Sequence, residues 1–155
     1  MARGSLKVFD DFALQLGQGQ HDFLNDTLRL GFIDDTITPD VKDIAPTWDK
    51  YKNYEVSFAG GYISGGMILE FVIYEMLPKI VNGEKITTLK ASNLFLPQND
   101  AGFINASWGI LYNDTNDTDI ALAYICLGGP ISEKDGPVEI VWNKSGILNL
   151  ATVEK

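Results

Sequence analysis

The chain has 155 residues, with 21 acidic against 12 basic side chains and a net charge of −9; 45% of its residues are hydrophobic and 21% charged. That balance describes one folded domain with a real core and excludes a disordered chain. No Lys/Arg cluster interrupts the acidity, so a nucleic-acid backbone would be repelled, and no segment approaches the ~20 apolar residues of a membrane span.

The N-terminal stretch carries Arg3 and Lys7, but Asp10 and Asp11 interrupt its apolar run, so it does not read as a secretory signal. In "SLKVFDDFALQLGQG", Phe9, Phe12, Ala13 and Leu16 fall at i, i+3, i+4 and i+7, which predicts a short N-terminal helix. Ser5 is its expected N-cap, and Gly17 or Gly19 its expected end. A second helical turn is expected at "TPDVKDI", with Thr38 as cap and Pro39 at the first position.

From Asp26 onward the period is two. "DTLRLGFI" puts Leu28, Leu30 and Phe32 on one face and Thr27, Arg29, Gly31 and Ile33 on the other. The glycines of "GGYISGG" mark bends around Tyr62 and Ile63. "MILEFVIYEML" is apolar on both faces except at Glu70 and Glu75 and stops at Pro78. Its β-branched and aromatic content favours a strand, with a short buried helix as the alternative. Asn82-Gly83 is a hairpin turn signal. Alternating or apolar runs follow at "KITTLKASNLFLP", "FINASWGILY", "IALAYICL", "VEIVWN" and "GILNLATV", with loops at "QNDAG", "NDTNDTD" and "GGPISEKDGP". This spacing predicts a mainly β fold: a single antiparallel β-sandwich, jelly-roll or Ig-like, over residues 25–155, preceded by a helix and connector over residues 1–24. Trp108, Leu111, Tyr124, Ile140 and Trp142 are expected inside the sandwich or at its edge.

Few residues offer chemistry. Cys126 is the only cysteine, so neither an intrachain disulfide nor a Cys-based zinc site is available. It sits in an apolar run with no basic neighbour in sequence to activate it, and reads as a small buried side chain. His21 is the only histidine and lies in the polar connector "GQGQHDF", where a turn position outweighs a catalytic base. The neighbouring pairs Asp10-Asp11 and Asp34-Asp35 read as solvated rather than as an acid/base pair. "GGYISGG" lacks the lysine of a P-loop and the strand-to-helix setting of a dinucleotide fingerprint.

In "NDTNDTD", Asp114, Asn116 and Thr118 match the start of an EF-hand, but Asp119 stands where glycine is needed and Ile125 where glutamate is needed. Asn25, Asn113 and Asn116 open Asn-x-Thr tripeptides, and Asn105 and Asn143 open Asn-x-Ser ones, which mean little without secretion. Asn and Asp bond to their own backbone and tolerate positive φ, so a turn is the stronger reading. No catalytic residue, cofactor or metal site is assigned. Trp48, Tyr51 and Tyr54 form the one candidate partner interface, although a role as core or edge cover is placed ahead of it.

Taken in order, these pieces resemble a family of small structural proteins of tailed-bacteriophage virions. The resemblance rests on "F-x-x-F…LG-x-G-x-HD" from Phe9 to Asp22, "D-T-L-R-L-x-F" from Asp26 to Phe32, and "W…YEV…GGYISGG" from Trp48 to Gly66. It continues with "ILYNDT" from Ile110 to Thr115, "LGG" from Leu127 to Gly129, and "I-x-W-N-x-x-GIL-x-L" from Ile140 to Leu150. "MILEFVIYEMLPKIVNGEKITTL" departs from it, being more apolar than the Thr/Ser-rich strands of that group. The resemblance implies a non-enzymatic capsid decoration, or cement, protein on the outer head surface. It would be made in the bacterial host cytoplasm and bind the major capsid protein, with a homo-oligomer as a further expectation. The alternatives are a tail or tail-fibre component bound to tail proteins or a receptor, and a carbohydrate-binding module using Trp48, Tyr51 and Tyr54. In the first reading the helix around Phe9, Phe12 and Leu16 completes the core ahead of docking to the capsid.

If "NDTNDTD" is a turn, EDTA should leave the melting temperature unchanged, because a bound cation would stabilise by mass action. A chelator-induced drop of more than a few degrees would show a metal site.

Overall fold

A computed structural model describes residues 1–78, 83–115 and 117–152. Among the described residues there are ten strands: β1 (Leu6–Val8), β2 (Leu28–Ile33), β3 (Met67–Ile68), β4 (Ile73–Met76), β5 (Lys85–Lys90), β6 (Leu94–Leu96), β7 (Ala106–Asn113), β8 (Ala121–Ile131), β9 (Val138–Ile140) and β10 (Leu148–Thr152). The helices are α1 (Phe12–Gly17) and α2 (Trp48–Tyr51), the latter running into a 3₁₀ turn at Lys52–Tyr54. All the strand pairs are antiparallel. They form a five-stranded sheet in the order β1-β8-β7-β2-β3, a three-stranded sheet β10-β5-β4 and a ribbon β6-β9. The chain is therefore a mainly β, antiparallel sandwich.

The main core lies on one face of the large sheet. Leu28, Leu30 and Phe32 of β2, Leu111 of β7 and Ala123, Ile125 and Leu127 of β8 cluster with Leu89 of β5, Leu94 and Leu96 of β6, Val138 of β9 and Leu148 of β10. Each Leu, Ile, Val or Phe among them contributes about 1.5–3 kcal/mol on leaving water, and Ala123 less. The alternation expected for β2 holds, and its second face is also dry: Ile33 joins Ile110, Tyr112, Ala121 and Tyr124 in a second cluster with Phe9, Trp48 and Tyr51. A bulge in β8 permits both clusters. Leu111 faces Ala123 but Tyr112 faces Ala121, so Leu122 is the extra residue and turns to the main core.

Several sequence expectations are corrected. Ser5 does not cap a helix: Leu6–Val8 pair with Val8↔Ala123 to Leu6↔Ile125 as the edge strand β1, because the open edge of β8 supplies backbone partners that a lone turn of helix lacks. The helix begins at Phe12. It ends as expected at Gly19 (φ +70), where Gly19 N–H donates to the Leu16 carbonyl and Gln20 N–H to that of Gln15. Ala13 is exposed and Gln15 is buried in its place. Thr38 and Pro39 start no helix. Asp40 instead organises a turn by accepting from Lys42 N–H, and the helix in this region is capped by Thr47, whose hydroxyl accepts from Lys50 N–H.

"MILEFVIYEML" is two strands in different sheets, separated at Phe71, whose φ of +53 ends any regular strand. "KITTLKASNLFLP" likewise divides into β5 and β6, and β9 stops at Ile140 rather than reaching Trp142. β8 runs through Gly128 and Gly129, both at positive φ, to Ile131, so the expected loop starts later. β4 and β5 pair as an antiparallel hairpin, with Gly83 at φ +78; Asn82, the first residue of the expected turn, lies outside the described residues. Leu111 and Tyr124 are buried, while Trp108, Ile140 and Trp142 are half-buried against the two clusters.

Gly31 fixes the spacing of the outer cover. A Cβ there would come within 2.5 Å of the Trp48 indole. Gly31→Ala should lower stability by about 1–3 kcal/mol through overpacking, read as a reduced denaturation midpoint. Gly136→Ala, where a Cβ would meet nothing within 4 Å, should leave it unchanged.

Candidate functional site

The sequence candidates Trp48, Tyr51 and Tyr54 sit on α2 and the turn after it. Helical spacing points Trp48 and Tyr51 at the large sheet, where both are buried, and Tyr54 is half-buried beside them. Trp48 stacks on Tyr112 with ring centroids 5.1 Å apart and planes 5° from parallel. The Tyr51 hydroxyl donates to Asp43 Oδ2, whose other oxygen lies 3.1 Å from Lys50 Nζ. Burial, followed by the Asp43 carboxylate, raises the Tyr51 hydroxyl pKa. These rings serve as the core cover, and neither Trp48 nor Tyr51 offers a face to a sugar. This is the core-cover role that the sequence reading placed ahead of an interface.

The acidic loop is tied down as a turn. Asn113 Oδ1 accepts from Thr115 N–H, Asp114 N–H donates to the Thr27 carbonyl, and Thr115 Oγ1 accepts from Thr27 N–H. Asp114 Oδ2 meets Arg29 Nε at 2.5 Å. Asp119 has φ +46, and Asn116 lies outside the described residues. Arg29, Lys52, Glu55, Asp114 and Asp119 border an open cleft of about 520 Å³. Among the described residues no group of three or more His, Cys, Asp or Glu side chains is arranged to hold a metal ion. Burial, then the proximity of Asp114, raises the Asp119 pKa.

"GGYISGG" uses its polar groups internally. Phe32 N–H donates to the Tyr62 hydroxyl (2.9 Å), which donates to Glu55 Oε1 (2.8 Å), and Gly65 N–H donates to that same oxygen (2.7 Å). Gly61 N–H donates to Oε1 of the fully buried Glu133, and Phe103 N–H to its Oε2. The amides that would cradle a phosphate already hold the protein's own carboxylates.

Cys126 is buried, its Sγ 3.4 Å from the Met1 carbonyl. His21 packs against both Phe12 and Phe23, which also touch each other, and is hydrogen-bonded to Gln15 and Asn113. A groove of about 350 Å³ runs between β1, β8 and the segment after β9, walled by Leu6, Ile131, Val138, Ile140 and Trp142.

The feature that sequence reading missed is an apolar surface segment. Ile68 at the end of β3, Phe71 on the β3–β4 connection and Ile73 at the start of β4 are 42%, 78% and 48% exposed. Phe71 holds φ +53, a conformation that bulky side chains rarely adopt. Glu70 and Glu75 were the available signal, since carboxylates within an apolar run mark a solvent-facing stretch. No family of proteins, no curated protein and no solved structure matches the chain.

Asp119 supplies a test of the cleft's electrostatics. A raised folded-state pKa means that its charge costs stability above the unfolded carboxyl pKa of 3.8 and costs nothing below it. Asp119→Asn, which also tolerates φ +46, should raise the melting temperature at pH 7, and the gain should vanish as pH falls through the carboxyl range.

Proposed function

We propose that this chain is a capsid decoration protein that binds the outer surface of a tailed-phage head through the apolar segment Ile68–Ile73. The observation that carries the reading is Phe71, a large aromatic held out in water on a backbone that costs on the order of 1–3 kcal/mol to maintain. A folding argument favours Asn or Gly there, whereas a docking argument favours an aromatic anchor flanked by two isoleucines. The head as partner follows from the resemblance noted in the sequence. A net charge of −9 suits an exterior position away from packaged DNA. The head site is composed from neighbouring capsid subunits, so free subunits bind poorly. The carbohydrate-module reading loses its platform with the burial of Trp48 and Tyr51.

Phe71→Asn separates binding from folding, because Asn is at home at positive φ. The variant should keep or raise the melting temperature while weakening co-sedimentation with purified expanded heads by about tenfold or more, the loss of one anchor side chain. Wild-type protein that ignores heads and is recovered on isolated tails would replace this reading with the tail alternative. Undiminished head binding by Phe71→Asn would remove the segment from the contact.

A further inference from the structure

We propose that His21 is an acid-sensitive latch: neutral, it bonds α1 to the end of β7, and its protonation frees the arm formed by β1 and α1. The argument begins with two amides whose orientations are fixed by other partners. Asn113 Nδ2 lies 2.6 Å from Asp26 Oδ2, and Asn113 Oδ1 accepts from Thr115 N–H, so the nitrogen faces the carboxylate. That same nitrogen is 3.0 Å from His21 Nδ1, which must therefore present a lone pair. On the other side, Gln15 Nε2 donates to the Ala121 carbonyl, leaving Gln15 Oε1 2.7 Å from His21 Nε2, which must carry the hydrogen. Both neighbours specify the same neutral tautomer.

A second proton would point Nδ1–H at the Asn113 amino group. Turning that amide would break its bonds to Asp26 and Thr115, and moving the ring would break the bond to Gln15. The charged group facing the ring from the connector is Asp26, which also accepts from Asp22 N–H. β7 presents the Asn113 amide, with Asp114 beyond it held by Arg29; α1 presents Gln15 and Phe12, and β4 reaches the site only through Tyr74 against Phe23. Burial lowers the His21 pKa and outweighs the opposing pull of Asp26. The latch is therefore fully closed above the unfolded value of 6.5 and opens as pH falls below it. What it holds is the N-terminal arm: three β1 residues on the edge of β8, flanked by the bonds of Gly4 N–H to the Cys126 carbonyl and Phe9 N–H to the Leu122 carbonyl, then six helical residues and the buried Phe9, Phe12 and Gln15. Release bares the edge of β8, a surface for strand pairing.

His21 is the only histidine, so its ring signals are unambiguous in an NMR titration. The ring should titrate with a midpoint below 6.5, and the amides of Leu6–Gly17 should shift with that midpoint while those of β2 and β7 up to Tyr112 stay. His21→Gln should abolish the arm's transition. Gln15→Glu, which faces Nε2–H with a carboxylate, should move the ring and arm midpoints upward together. A ring midpoint at or above 6.5, arm amides that do not follow the ring, or an arm transition that persists in His21→Gln would overturn the proposal.

Discussion

The large sheet is apolar on both faces, and the rest of the molecule is arranged around covering it. β2, β7 and β8 bury Leu30, Leu111 and Ile125 on one side and Ile33, Ile110 and Tyr124 on the other. A sandwich partner covers only one of these. The second cover is assembled from Phe9 of the N-terminal arm and from Trp48 and Tyr51 of α2, elements too short to be stable alone. Gly31 is where that cover meets the sheet, because Trp48 can lie flat on Tyr112 only if β2 has no side chain at that point.

Short covers need anchors, and the chain supplies them as buried or half-buried polar groups bonded to one another within the chain. Glu55 and Glu133 hold the glycine-rich segment by its amides, and Gln15 and Asn113 hold α1 and the connector through His21. Among the described residues no buried side-chain nitrogen or oxygen lacks a hydrogen-bond partner. This is the cost-effective state for polar groups in a core, since an orphan costs more than a satisfied bond contributes. It has a functional consequence: the Gly61 and Gly65 amides, which could face a foreign anion in an open glycine loop, are here bonded to carboxylates of the same chain.

Partner binding then depends on what the sandwich leaves outside. The Ile68–Ile73 segment lies where the chain passes from the large sheet to the three-stranded one: Ile68 pairs with Arg29 in the first and Ile73 with Lys90 in the second, while Phe71 between them belongs to neither ladder. A crossing between layers can project a side chain that no strand position would expose, and Phe71 is that side chain. The acidic cleft at Asp114 and Asp119 lies instead on the covered side of the large sheet, beside Trp48.

The sequence by itself determined the mainly β class, the faces of β2, a glycine end to the first helix and the turn character of the acidic loop. Each is a local matter of side-chain period or of the φ values that Gly, Asn and Asp tolerate. Only the tertiary structure decided that Leu6–Val8 extend rather than coil, because the vacant edge of β8 lies more than a hundred residues away in the chain. Only it decided that "MILEFVIYEML" breaks at Phe71, since an apolar run on both faces says nothing about which sheet each half joins. His21 shows the same division: a lone histidine in a polar connector carried no signal, and its tautomer became readable only when folding placed Gln15 and Asn113 on its two nitrogens. Periodicity records which faces are dry, while partners distant in sequence settle which face meets which.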